Sequence, residues 1–144
     1  MASNTPINQS SAFAPAVCFH NGLLHMVFVA NNDSRELLHA VSGDGINWAR
    51  RNNLRQSTKA APAIASFGQL RTYFVANNDS NTLLACFYDE ANDVWSNNNP
   101  IIGNNLVPES SKATPGLAQQ TGRLLMYYVA NNDTNELLVF DVSE

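Results

Sequence analysis

Apolar and polar positions alternate along this chain in short runs, and one such run returns three times. "VFVANNDSRELL" begins at Val27, "YFVANNDSNTLL" at Tyr73 and "YYVANNDTNELL" at Tyr127. In each, an apolar run meets a polar Asn-Asn-Asp and resumes as a second apolar run. Alternation in segments rich in Val, Phe, Tyr and Leu predicts strands. No segment carries a long 3.6-residue period with caps, so no helix is predicted. The first Asn of the triplet stands at Asn31, Asn77 and Asn131, in steps of 46 and 54. The upstream proline stands at Pro15, Pro62 and Pro115, in steps of 47 and 53. The extra length of the last step therefore falls before Pro115, in "SNNNPIIGNNLVPESSKAT", whose Asn, Pro, Ser and Gly predict a longer loop.

Each unit has the same anatomy. A Ser-rich lead enters "FAPAV", "AAPAI" or "ATPGL". A turn follows at Gly22, Gly68 or Gly122, then the main strand, the Asn-Asn-Asp turn and a second apolar strand. Two units continue to Trp48 and Trp95. The third reaches Glu144 first. The chain reads as one domain, 1–144, with repeats over about 5–49, 50–96 and 97–144. The fold class is all-β, with three four-stranded units. Two architectures take that count. A β-trefoil uses three such units. A β-propeller uses them as blades, but needs at least four to close, so three blades would be half of a six-bladed β-propeller completed by a second chain.

"VSGDGINW", Val41 to Trp48, resembles the Asp-box turn of sialidase-type propellers in a form one residue shorter; Ser42, Asp44, Gly45 and Trp48 match it. "FYDEANDVW" keeps only an Asp and Trp95. The whole unit is similar to the repeats of bacterial propeller lectins. That resemblance implies a propeller rather than the trefoil alternative. The opening "NTPIN" looks like "NNNPI" at Asn97 to Ile101, so the N-terminal segment is expected to supply the outer strand that the last unit lacks, in a partner chain of a homodimer.

Composition narrows the partners. Net charge is −4 and the isoelectric point is near 5.2, with no basic stripe. Neither nucleic acid nor an anionic membrane surface is therefore an expected partner. No apolar run approaches the ~20 residues of a membrane span, and the N-terminus has no signal-peptide pattern. The expected location is the cytoplasm, or outside after export without a cleaved signal. Cys18 and Cys86 lie in apolar runs and read as small buried hydrophobes. Neither a metal nor another cofactor is expected, because "NNDSN" lacks the spaced carboxylates and final Glu of a calcium loop.

High amide and low charged content suits neutral polar ligands, and sugars in particular, which present an apolar face and a rim of hydroxyls. The candidate ligand residues are the three turn triplets (Asn31, Asn32 and Asp33; Asn77, Asn78 and Asp79; Asn131, Asn132 and Asp133) with Trp48, Trp95, Tyr73, Tyr127, Arg71 and Arg123. Turn geometry alone accounts for much of the triplets, because Asn and Asp accept left-handed backbone and bond their own chain. His20, His25 and His39 have no acid–base partner nearby in sequence, and neither H-E-x-x-H nor G-x-S-x-G is present. The expectation is a non-enzymatic lectin with multivalent shallow glycan sites at blade junctions. A protein-interaction scaffold is second and a glycosidase-like fragment third.

Overall fold

The computed structural model describes residues 4–103 and 108–143. Among them every regular element is a strand, so no helix is long and apolar enough to cross a membrane. The first sheet holds β1 (Ala16–His20), β2 (Leu23–Val29), β3 (Glu36–Ser42) and β4 (Ala49–Ser57), antiparallel and in sequence order. The second holds β5 (Ala63–Phe67), β6 (Gln69–Val75) and β7 (Leu83–Asp89) in order. Its outer position is shared by β8 (Val94–Trp95) and β9 (Asn99–Pro100), which both pair with β7. The third holds β10 (Gly116–Gln120), β11 (Arg123–Val129) and β12 (Leu137–Asp141).

Each unit closes its own up-and-down sheet, and no strand is exchanged between sheets. That is a blade, so the architecture is a partial propeller; the trefoil alternative would need strands of different units in one barrel. The first strands of the units adjoin in order, β5 lying against both β1 and β10. Among the described residues the third unit has three strands, β10 to β12, and no fourth pairs with β12.

The turns follow their sequence. Asn21 and Gly22 join β1 to β2 with φ of 47° and 86°, the left-handed pair that a two-residue hairpin of the right twist requires. Alternation then sorts side chains onto the two faces of each blade. Val27, Val29 and Leu37 of the first blade, with Leu54 of its outer strand, pack against Phe74, Ala76, Leu84 and Cys86 of the second. The opposite face of the second, Tyr73, Val75, Leu83 and Ala85, packs against Leu124, Met126 and Tyr128 of the third. On the far side of the first blade, Met26, Phe28, Leu38 and Ala40 are covered by Trp48 and by Ile7 of the N-terminal segment. Both cysteines are free, and burial pushes the Cys18 thiol up to about 11 and that of Cys86 to about 12. They behave as hydrophobes rather than nucleophiles.

Candidate functional site

At one end of the blades lie the three Asn-Asn-Asp turns. The second Asn of each is spent on the turn itself. Asn32 Oδ1 accepts from the Ser34 amide at 2.9 Å and hydroxyl at 2.6 Å. Asn78 does the same with Ser80 at 2.9 and 2.5 Å, and Asn132 with Thr134 at 2.9 and 2.6 Å. The left-handed residue, which the sequence placed within the triplet, is instead the one two places after the Asp. Arg35, Asn81 and Asn135 have φ of 52°, 53° and 56°. The triplet shapes the turn through the Asn32, Asn78 and Asn132 amides, not through its own backbone. Asn31, Asn77, Asp33, Asp79 and Asp133 remain exposed. Asn131 ties neighbouring turns together, accepting from Asn81 Nδ2 at 3.0 Å. Lys59 Nζ reaches Asn81 Oδ1 at 2.7 Å, and Lys112 Nζ reaches Asn135 Oδ1 at 2.9 Å. This end is therefore a rim of amides, carboxylates and lysines, repeated from blade to blade.

The opposite end carries the Asp-box-like turn. The amides of Ile46 and Asn47 donate to Asp44 Oδ1 at 2.9 and 2.8 Å, and these bonds hold its carboxyl below the usual carboxylate range. Gly45 N–H donates to Ser42 Oγ at 2.8 Å, and Trp48 Nε1 to the Gly45 carbonyl at 3.0 Å. The side-chain hydrogen bonds of Ser42, Asp44 and Trp48 all close the turn, and the Trp48 ring packs against the Met26 and Phe28 cluster. Nearby, His20 Nδ1 lies 2.6 Å from Ser66 Oγ, and its Nε2 lies 3.8 Å from Glu90 Oε1. Glu90 takes its short bond, 2.6 Å, from Asn21 Nδ2. A serine, an imidazole and a carboxylate are thus aligned across two blades. At 3.8 Å the carboxylate makes no hydrogen bond to the ring, so it does not fix the imidazole as an activated nucleophile would require.

Between these ends a polar cluster is buried at the first junction. His25 and His39 are fully buried, stacked with centroids 5.2 Å apart, and joined Nδ1 to Nε2 at 2.9 Å. Hydrogen bonding assigns the tautomers. Trp95 Nε1, which can only donate, points at His39 Nδ1 at 3.3 Å, and Asn52 Nδ2 adds a second donor at 3.4 Å. The His39 proton is then on Nε2 and is given to His25 Nδ1. That leaves His25 Nε2–H buried without a partner among the described residues, at a cost of about 1–3 kcal/mol. Burial, reinforced by the neighbouring His25, pushes the His39 pKa down to about 3, and burial likewise lowers that of His25. Tyr88 packs on both rings and bonds Asp93 Oδ1 at 2.5 Å. Sequence reasoning missed this cluster because its members are paired across strands and blades. The one signal available was alternation, which puts His25 and His39 on the same face.

The remaining candidates are scattered. Tyr73 is 1% exposed and belongs to the second core cluster. Arg71 is buried and acts as a brace. Its Nη1 donates to the Val142 carbonyl at 2.8 Å and its Nε to that of Phe67 at 3.2 Å, with the guanidinium against the rings of Phe67 and Phe87. Arg123 is exposed and bonded to Gln120. Tyr127 is exposed on the outer face of the third blade. Two grooves stand out. One of about 720 Å³ lies between the outer strand of the second blade and Phe140 to Ser143. One of about 480 Å³ lies between Asn8 to Ser10 and the first blade, with Glu36, Arg50 and Asn53 in its wall.

No protein-family model matches this chain, and no curated protein matches it by sequence. Solved structures do. An exo-β-1,3-galactanase from Phanerochaete chrysosporium superposes with a TM-score of 0.63 at 11% identity, over 93% of this chain and 36% of that one. An exo-β-1,3-galactanase from Clostridium thermocellum gives 0.62 at 14%, over 93% and 35%. The GH32 β-fructofuranosidase of Bombyx mori gives 0.56 at 12%, over 89% and 32%. The chain thus spans about a third of the length of each. These neighbours correct the leading expectation from sequence: they are glycoside hydrolases, not non-enzymatic lectins. What the likeness establishes is the fold, a β-propeller segment of the kind that glycoside hydrolases use.

Proposed function

We propose that this chain is a segment of a carbohydrate-processing propeller, of glycosidase type. The observation that carries the reading is the superposition of nearly the whole chain on glycoside hydrolases. The rim of the Asn-Asn-Asp turns supports it by chemistry. Glycoside hydrolysis uses two carboxyl groups, one to protonate the leaving oxygen and one to act as base or nucleophile. Asp33, Asp79 and Asp133 are exposed at this rim, and among the described residues their carboxylates make no hydrogen bond. The amides of Asn31 and Asn77 beside them suit sugar hydroxyls. By contrast Asp44, Asp93 and Asp141 are engaged in local hydrogen bonds and held low, which suits neither proton donation nor exposure to substrate.

The test is hydrolysis of a panel of β-galactans, fructans and xylose-containing polysaccharides, read as released reducing sugar. At least one should be cleaved. Asp33→Asn, Asp79→Asn or Asp133→Asn should lower its rate at least a hundredfold for the pair that acts, while Asp44→Asn should leave rate per folded molecule unchanged. Saturable sugar binding with no turnover on any of them would overturn the proposal.

A further inference from the structure

The two ends of the three-blade arc are halves of a junction that the chain makes twice internally. At the first internal junction, Ser57 pairs with Glu36 of the preceding turn, and Thr58 N–H donates to the Arg35 carbonyl at 3.0 Å. At the second, Ser110 bridges to Thr82, and Ser111 N–H donates to the Asn81 carbonyl at 2.9 Å. The same segment then enters its own blade: Lys59 N–H bonds the Val75 carbonyl at 2.9 Å, and Lys112 N–H bonds that of Val129 at 3.1 Å. Ser10, Ser11 and Ala12 stand at the equivalent places in the first unit. Ala12 N–H does bond the Val29 carbonyl, at 3.0 Å. The preceding turn for these residues would be that of Asn135 and Glu136, at the other end of the arc.

The side chains agree. Leu54 of the first outer strand packs into the first junction, and Ile101 of the second outer strand packs into the second. Ile7 is the equivalent residue in "NTPI", and it packs on the far face of the first blade, against Met26 and Phe28. It therefore sits where an outer strand of a preceding blade sits. Among the described residues no strand pairs with the outer edge of β12. The third blade also exposes the face that the other two blades bury: Tyr127, Leu137 and Val139 are 44%, 77% and 55% exposed, whereas Tyr73, Leu83 and Ala85 at the matching positions are almost fully buried. The groove walled by Asn8 to Ser10, Glu36, Arg50 and Asn53 lies at the N-terminal end of the arc.

We propose that the open face and edge of the third blade receive the N-terminal segment and first blade of a second copy of this chain. Residues 4–10 of one copy pair along β12 of the other, Ser11 N–H donates to the Asn135 carbonyl, and Tyr127, Leu137 and Val139 close on Ile7, Met26 and Phe28. The junction occurs twice about a two-fold axis, and two arcs of three make six blades, within the range in which propellers close. The surface matches a second copy because both of its halves are already present and in register with the two junctions the chain makes itself. This assembly is independent of the glycosidase reading.

Solution mass is the first test, by native mass spectrometry and light scattering on the 144-residue chain. The expected species is a dimer, twice 15.7 kDa. Val139→Asp and Ile7→Asp, each at a position that the single chain leaves on or near its surface, should each reduce the dimer strongly. An equimolar mixture of the two variants should recover dimer, because one junction of the mixed pair is wholly native. If Val139→Asp disrupts and Ile7→Asp does not, the third blades pair with each other and the proposal fails. A monomer at high concentration, or open oligomers of unlimited size, would also overturn it. Ser10→Cys combined with Glu136→Cys supplies an independent readout. The pair should form an intermolecular disulfide on mild oxidation, since directly opposed strand residues lie at about the 4.4–6.8 Å Cα separation that a disulfide spans. Failure of that crosslink in a folded dimer would refute the register.

Discussion

A residue's letter and its role part company most clearly at the triplet turns. Asn32, Asn78 and Asn132 spend their carbonyl oxygens on local amides and hydroxyls, whereas Asp33, Asp79 and Asp133 hold nothing locally. Asn78→Ala should therefore cost about 1 kcal/mol, as the loss of a comparable capping bond does, while Asp79→Ala should stay within about 0.5 kcal/mol. Urea unfolding of the two variants separates them, and equal losses would contradict the assignment. The buried imidazoles make a second prediction at this scale. His39 is held neutral by burial, with its pKa at about 3 against about 6.5 when unfolded. Below pH 6.5 the unfolded chain binds a proton that the folded chain refuses, so stability falls as pH falls from about 6.5 towards 3, by up to about 1.4 kcal/mol per pH unit for this group. His25 is shifted in the same direction and adds to the slope. Urea midpoints between pH 7.5 and 4.5 should drop steadily, and His39→Leu should flatten the profile; a flat wild-type profile would contradict the neutral cluster. Alternation puts His25 and His39 on one face, but the contact that fixes their tautomers was not visible in sequence, because His39 meets Trp95 across 56 positions and two blades.

Elements were more legible than sites, for a physical reason. Strand and turn identity depend on alternation and on a few turn residues, and three copies of one pattern supply the same information three times. The hairpins at Gly22, Gly68 and Gly122 and the strands around the triplets all fall where that pattern puts them. What sequence could not supply is which face of a strand meets which neighbour, and so Arg71 read as a ligand residue. Its guanidinium instead joins the second blade to the Val142 carbonyl of the third. Arg71→Met should leave that carbonyl and the Phe67 carbonyl without their charged donor, at a cost of about 1.5–3 kcal/mol. The loss should be uneven. Amide hydrogen exchange should quicken first in β11 and β12, whose blade the Arg71 guanidinium ties to the second, and last in β2 and β3, which Arg71 does not touch. Uniform acceleration through all three sheets would show that Arg71 serves the fold as a whole rather than this contact.

At the scale of the whole molecule, repetition makes equivalent positions comparable, and an open arc is where the comparison breaks. Leu37 and Leu83 are fully buried while Leu137, their counterpart, is 77% exposed. Burying a leucine side chain is worth about 1.5–3 kcal/mol, so the third blade forgoes stabilisation that the other two receive. A second copy would restore it, which makes stability depend on concentration. For a chain that folds as part of a dimer, each tenfold dilution removes about 1.4 kcal/mol of apparent stability, a shift of a few degrees in melting temperature for a molecule of this size. Melting curves over a thousandfold range of concentration should therefore move steadily downward on dilution. Val139→Asp should melt at one low temperature at every concentration, and the emission of Trp48, which packs on the same face of the first blade as Ile7, should shift to the red on dilution before the sheets unfold. A wild-type melting temperature that ignores concentration would mean that the third blade stands alone in solution, with its apolar face in water and its outer strand unmade.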